Sequence, residues 1–244
     1  MFDRSLREWR AQRGLSQMAL ALLAEVSPRH LSFLESARAR PSAAMVLRLS
    51  AALDLPLRER NGLLVAAGFA PHYGESDWNS DAMAEVRHAA QLLLGAHSPS
   101  PALVLDAAFT ILDANEGAFA LVGGRPEAGV RLNLAELVFM PGPVRDAIVN
   151  WDAVAGYLLH RLRDATRRHG PESNVARVLT RVSRQPGVDG LERDALGAAG
   201  VLLPLEFRID GTVTRWFTTV TSFGGPQDAL TEEITIEQFH PVTG

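Results

Sequence analysis

The chain has 244 residues, 47% of them apolar, a formal charge of −4 and no cysteine. That length suits one large domain or two ordinary ones with sizeable cores, and the lack of cysteine excludes disulfides, thiolate metal sites, iron–sulfur clusters and a cysteine nucleophile. No basic stretch leads into an apolar segment, and no apolar run is long enough to span a bilayer, so a cytoplasmic protein without membrane insertion is expected.

Charge is partitioned along the chain. Residues 1–70 hold ten arginines against six acids, whereas the remaining 174 residues hold fourteen arginines against twenty-two acids. A small basic module followed by a larger acidic one is the simplest reading. Every cation is arginine. The seven histidines show no HxxxH or HExxH spacing, so no metal site is expected.

Residues 1–70 read as five helices with short connections. "DRSLREWRAQRG" stops at Gly14. "SQMALALLA" has Ser16 as N-cap, and "SPRHLSFLESA" has Ser27 as N-cap with Pro28 at the first helical position. Pro41 and Ser42 open "SAAMVLRLSAAL", and Gly68 closes "PLRERNGLLVAAG". The turn formers of "PHYGESDWNS" (71–80) read as a linker, and "DAMAEVRHAAQLLLGA" reads as a connecting helix that completes a segment 71–98.

From residue 99 the period changes. "PALVLD" and "FTILDAN" are short strands around a turn at Asp106–Ala108. "PGPVRDAIVNWDAVAGYLLHRLRDATRRHG" reads as one long helix whose apolar stripe passes through Val144, Ile148, Trp151, Leu158 and Leu162, and "ESNVARVLTRVSRQ" as another. "VLLPLEFRID" alternates Leu203, Leu205, Phe207 and Ile209 against Glu206 and Arg208. Its "DG" turns into "TVTRWFTTVTSFGG", and "EEITIEQFH" is the last strand. Two strands, a helical middle and three terminal strands suit one antiparallel sheet covered by helices on one face. The fold class expected is α+β in two domains, 1–70 all-α and 99–244 built on the sheet.

The stretch "QMALALLAEVSPRHLSFLE" carries the sharpest functional signal. A helix-turn-helix needs small or apolar side chains where its two helices cross, and Leu20, Ala21, Ala24, Val26, Leu31 and Leu34 fill those offsets. Ala21 matters most, since a large side chain there would hold the helices apart. At the bend stands Glu25, where glycine is usual, and a left-handed conformation there costs about 1 kcal/mol. The residues left to face DNA are Gln17 at the start of the first helix and Ser27, Arg29, His30, Ser32 and Phe33 on the second, with Arg38 and Arg40 following. Gln17 is expected to bond a phosphate, Arg29 is the best candidate for guanine, and Arg38 and Arg40 are expected to hold phosphates. An ordinary helical hairpin with a solvated arginine face is the alternative, and the local basic surplus weighs against it.

On these residues "LREWRAQRGLSQMALALLAEVSPRHLSFLESARARPSAAMVLRLSAAL" resembles the lambda-repressor-like, XRE-type DNA-binding domain of bacterial transcription regulators. "PLRERNGLLVAAGFAP", "IVNWDAVAGYLLHRLR" and "RWFTTVTSFGGPQDALTEEITIEQFHP" resemble the MmyB-like regulators and their C-terminal ligand-binding domain. The resemblance implies a PAS-like sensor, a five-stranded antiparallel sheet flanked by helices, and a small apolar, fatty-acid-like effector. "VLDAAFTILDANEGAFALVG" also has the shape of a PAS opening, with Asn115 at the strand-to-helix turn. The expected partners are double-stranded DNA and a second copy of the chain, with half-sites about one helical turn apart in a symmetric dimer.

Candidate ligand-binding residues are Phe109, Phe119, Trp151, Leu158, Phe207 and Phe217, with Arg145, Tyr157 and Arg161 as partners for a carboxylate at the mouth. Enzyme readings fare poorly, and no catalytic residue or cofactor other than a bound lipid is expected. "VGGRPEAG" and "GGPQ" lack the phosphate-loop lysine and hydroxyl, and there is no G-x-S-x-G. Asp106 and Asp113 are better read as turn formers than as a catalytic pair, and His160 and His169 as haem ligands would lack an attachment motif. An antitoxin or protein-interaction module without small-molecule sensing is the alternative function, and the long C-terminal part counts against it.

Overall fold

The computed structural model describes residues 1–127, 129–191 and 203–242. The first two residues of the run "VLLPLEFRID" and Ala128 of "VGGRPEAG" lie outside the described residues. The chain forms two compact units. One comprises Met1–Ser76 with the short segments Arg167–Gly170 and Pro226–Glu232, and the other comprises Asp77–Thr166, Pro171–Gly225 and Glu233–Gly244.

The first unit contains the five expected helices, α1 (Phe2–Gln12), α2 (Gln17–Leu23), α3 (Pro28–Glu35), α4 (Ala43–Ala52) and α5 (Leu57–Ala66). Their starts are local chemistry. The hydroxyls of Ser16, Ser27 and Ser42 accept from the backbone N–H of Ala19, His30 and Met45, so each helix opens with one of its free donors satisfied. Leu6, Leu20, Ala21, Leu31, Leu34, Val46, Leu49 and Leu63 are fully buried in one cluster. Each leucine withdrawn from water in this way contributes about 1.5–3 kcal/mol.

The segment 71–80 is held far more firmly than its turn-forming composition suggests. Asn61, 1% exposed on α5, accepts from the N–H groups of His72 and Tyr73 and donates to the Tyr73 carbonyl and Glu75. Trp78 is buried, and Arg87 donates to the carbonyls of Trp78 and Ser80. Side-chain-to-backbone bonds from neighbouring helices, which composition does not reveal, order this stretch.

The second unit starts with α6 (Ala84–His97) and is built on a five-stranded, wholly antiparallel sheet. Its strands are β1 (Ala102–Leu105), β2 (Ile111–Ala114), β3 (Leu205–Ile209), β4 (Thr212–Ser222) and β5 (Thr235–Pro241), in the order β2-β1-β5-β4-β3. The last strand thus lies at the centre and joins the early pair to the late pair. Asp210 and Gly211, both at positive φ, make the expected tight turn between β3 and β4. Asn115 caps α7 (Glu116–Leu121) and also knits its surroundings together. Its Oδ1 accepts from Ala102 N and Ala118 N, each at 3.0 Å, and its Nδ2 donates to the carbonyls of Leu94 and Ser100. Gly117 is required by close approach, because a Cβ there would stand 2.3 Å from the Pro99 carbonyl oxygen. α8 (Leu134–Phe139), which periodicity did not announce, follows.

The long helix expected over 141–170 is in fact two helices, α9 (Pro143–Ala147) and α10 (Trp151–His169). Ile148, placed in the stripe of a continuous helix, is extended and bridges antiparallel to Phe207. Val149 N donates to Glu206 O at 2.8 Å, while the Asn150 side chain donates to Pro204 O and accepts from Glu206 N. The free edge of β3 supplies hydrogen-bond partners that outcompete one more helical turn. After α11 (Asn174–Val182), capped by Ser173, the last described helix is α12 (Ala229–Glu233).

Candidate DNA-reading helix and ligand cavity

α2 and α3 meet at the side chains the motif requires. Leu20, Ala21, Ala24, Leu31 and Leu34 are at most 1% exposed, and Val26 is half-buried against the same cluster. Glu25 is left-handed, at φ 52°, and Val26 N closes the turn onto Ala21 O at 2.9 Å. Ala37 is also left-handed, at φ 57°, and Arg38 N bonds back to Phe33 O at 2.8 Å, so α3 ends on a Schellman-type cap without glycine. The sequence reading singled out Glu25 and missed Ala37, which directs the chain into Arg38 and Arg40.

On α3 the N-terminal turn is open. Ser27, Arg29, Arg38 and Arg40 are exposed, while His30, Ser32 and Phe33 are half-buried. The Arg29 guanidinium lies 5.4 Å from the centroid of the Phe33 ring. Ser27 spends its hydroxyl on the helix cap, which leaves Arg29 as the long cationic donor at the tip.

Gln17, expected to bond a phosphate, also has a partner within the helical unit. Its Nε2 donates to Glu35 Oε2 at 2.7 Å, which leaves one amide hydrogen for any outward bond. Glu35, 2% exposed, also receives a two-point contact from Arg10, with Nε to Oε1 at 2.6 Å and Nη2 to Oε2 at 2.9 Å, and Arg7 donates to its backbone carbonyl. Burial pushes the Glu35 carboxyl up. The hydrogen bonds from Arg10 and Gln17 and the charges of Arg10 and Arg7 outweigh that and hold it below the usual glutamate value. This network ties α1, α2 and α3 together, and sequence reading missed it. The available signal was a carboxylate next to Leu34 on the apolar face of α3, since a charge in a buried stripe demands a partner.

In the second unit a cavity of about 330 Å³ lies within the helix-and-sheet layers. Leu103, Leu205, Phe207, Thr218, Glu237 and Phe239 line it from the sheet, and Ala118, Val138, Val154, Tyr157, Leu158 and Arg161 from α7, α8 and α10. Of the expected ligand-binding residues, Tyr157, Leu158, Phe207 and Phe217 border it together with Arg161. Phe217 also stacks on His240, 4.8 Å between ring centroids.

The other candidates lie elsewhere. Phe109, left-handed at φ 64°, is buried in the core and sits 5.0 Å from the Arg161 guanidinium. Phe119 borders a separate cleft, beneath Arg125. Arg145 donates to the carbonyls of Phe139 and Pro186 and lies 4.0 Å over Trp151, whose Nε1 donates to Val138 O. These two therefore brace α8 and α9 and are absent from the cavity wall.

The cavity is apolar with one charged spot. Arg161 Nη1 donates to Glu237 Oε1, with the arginine side chain 23% exposed and the carboxylate 5%. Glu237 was not anticipated. Asp106 accepts from the N–H groups of Ala108 and Thr110, and Asp113 from that of Ala114, so both act on local backbone. His160 faces Asp164 one turn along α10. Among the described residues, no group of three or more histidines and acids could hold a metal ion, and no helix is long and apolar enough to cross a membrane.

Two family models match the chain. Residues 6–60 match a helix-turn-helix family, and residues 86–244 match the MmyB-like transcription regulator ligand binding domain. No curated protein matches it closely enough to be counted a relative. The helix-turn-helix of the first unit and the largely apolar cavity of the sheet unit fall within these two matches. The chain therefore belongs to the MmyB-like family of transcription regulators, joining a helix-turn-helix to a ligand-binding domain.

Proposed function

We propose that the protein binds operator DNA as a homodimer through α3 and releases or engages it according to whether a ligand with a fatty-acid-like alkyl chain, whatever its polar end, occupies the cavity. The observation that carries this reading is the cavity wall, where Leu103, Val138, Leu158, Phe207 and Phe239 border space beside one charged pair, Arg161–Glu237. That is the pattern of a site for an elongated apolar molecule with one polar end. On the DNA side, α3 enters the major groove N-terminus first, with Arg29 on a guanine and Arg38 and Arg40 on phosphates. The effector changes operator affinity by about 5- to 150-fold, the usual range of coupling between two sites.

The test selects bound duplexes from a random pool with the full-length protein and then compares Arg29→Ala on the winning sequence in a mobility-shift assay. Sequence-specific binding is expected to disappear while weak, salt-sensitive binding to any duplex persists. Undiminished specific binding by Arg29→Ala would show that another element reads the bases.

A further inference from the structure

Resting on the reading of the cavity as a ligand site, we propose that it selects a neutral amphiphile, an alkyl chain ending in an amide or alcohol, over an ionised fatty acid. Its one cation is already neutralised. Arg161 projects from α10 and Glu237 from β5, and the two are joined by a hydrogen bond at the cavity wall. A site built for a carboxylate presents an uncompensated positive charge, whereas this pair has a net charge of zero.

An incoming carboxylate would be the third charge at this spot. It could reach the other edge of the Arg161 guanidinium, but it would then face Glu237 across the same cation in apolar surroundings, where two carboxylates repel strongly. A neutral head adds no charge and uses what the pair leaves open. Its oxygen accepts from the remaining N–H donors of Arg161, and its N–H or O–H donates to Glu237 Oε2, the carboxylate oxygen that the Arg161 bond leaves open. Tyr157 and Thr218, both half-buried and both carrying a hydroxyl, also line the cavity. Each can give and accept one further bond to an amide or alcohol.

The experiment titrates full-length protein with dodecanamide, dodecanol and dodecanoate at about pH 7, where a free carboxylic acid is ionised. Wild type is expected to bind the two neutral compounds at least about tenfold more tightly than dodecanoate, and Glu237→Gln to shift that ratio about tenfold or more towards dodecanoate. Dodecanoate binding to wild type as tightly as the amide overturns the proposal, as does an unchanged ratio in Glu237→Gln. The wild-type ranking decides the matter alone where the variant does not fold. Failure of all three compounds to bind wild type is a different result, one that removes the cavity's role as an alkyl-chain site and this inference with it.

Discussion

Replacing Glu35 by alanine tests whether the DNA-binding unit is held by its buried charge network as well as by its leucines. The carboxylate is 2% exposed and takes three side-chain hydrogen bonds, from Arg10 Nε at 2.6 Å, Arg10 Nη2 at 2.9 Å and Gln17 at 2.7 Å. Removing it leaves the Arg10 guanidinium, 16% exposed, with the Leu15 carbonyl as its one remaining hydrogen-bond partner among the described residues. Breaking a buried pair from one side costs about 3–5 kcal/mol, and the partial access of water to Arg10 reduces this to about 2–4 kcal/mol. Hydrogen exchange of the intact chain, read by mass spectrometry on peptides from α1 and α3, should therefore accelerate by roughly 30- to 1,000-fold.

The same network gives a pH signature. Because the Glu35 carboxyl is held below its ordinary value, its contribution is present in full above the unfolded-state value of 4.5 and is lost as pH falls through the native-state value. Stability of the wild-type unit should thus fall in acid by an amount that Glu35→Ala does not share. An acceleration of less than about fivefold at neutral pH would refute the reasoning, as would parallel acid profiles for the two proteins. Either result would mean that desolvation of the carboxylate and guanidinium cancels what their pairing provides.

Glu25→Gly should raise the thermal stability of the DNA-binding unit by the equivalent of about 0.5–1 kcal/mol and leave DNA specificity unchanged. The residue is exposed and left-handed, so relief of strain there exceeds the added freedom of the unfolded chain. A clear loss in a melting experiment would show that the glutamate side chain holds the turn. Asn115→Ala should destabilise the sheet unit by about 2–3 kcal/mol in urea titrations, because it removes a helix cap and strands the Ala102 N–H and the Ser100 carbonyl. A cost below about 1 kcal/mol would mean that the α7 cap alone matters.

Much of the fold was legible because its signals are local. Ser16, Ser27 and Ser42 announce helix starts, since a hydroxyl three residues before a backbone donor caps it whatever the surroundings. The offsets of Leu20, Ala21, Ala24, Leu31 and Leu34 define a helix crossing, and Asp210–Gly211 defines a tight turn. The break at Ile148–Asn150 was hidden, because its cause is the edge of β3, some fifty residues further along the chain. An apolar stripe with good helical spacing does not register that competing partner.

For the two sites the division is sharper. By itself the sequence determined the helix-turn-helix and the exposure of Arg29 on its second helix, because such a motif is contiguous and its inward positions identify its outward ones. Only the tertiary structure decided that Gln17 is committed to Glu35, that Arg145 and Trp151 brace one another away from the cavity, and that Glu237 opposes Arg161. β5 has buried side chains on both faces at its centre, with Ile236, Glu237 and Phe239 all inside, so alternation could not tell which face the carboxylate takes. Its pairing with an arginine 76 residues away depends on how α10 lies over the sheet, a long-range packing outcome that no local pattern encodes.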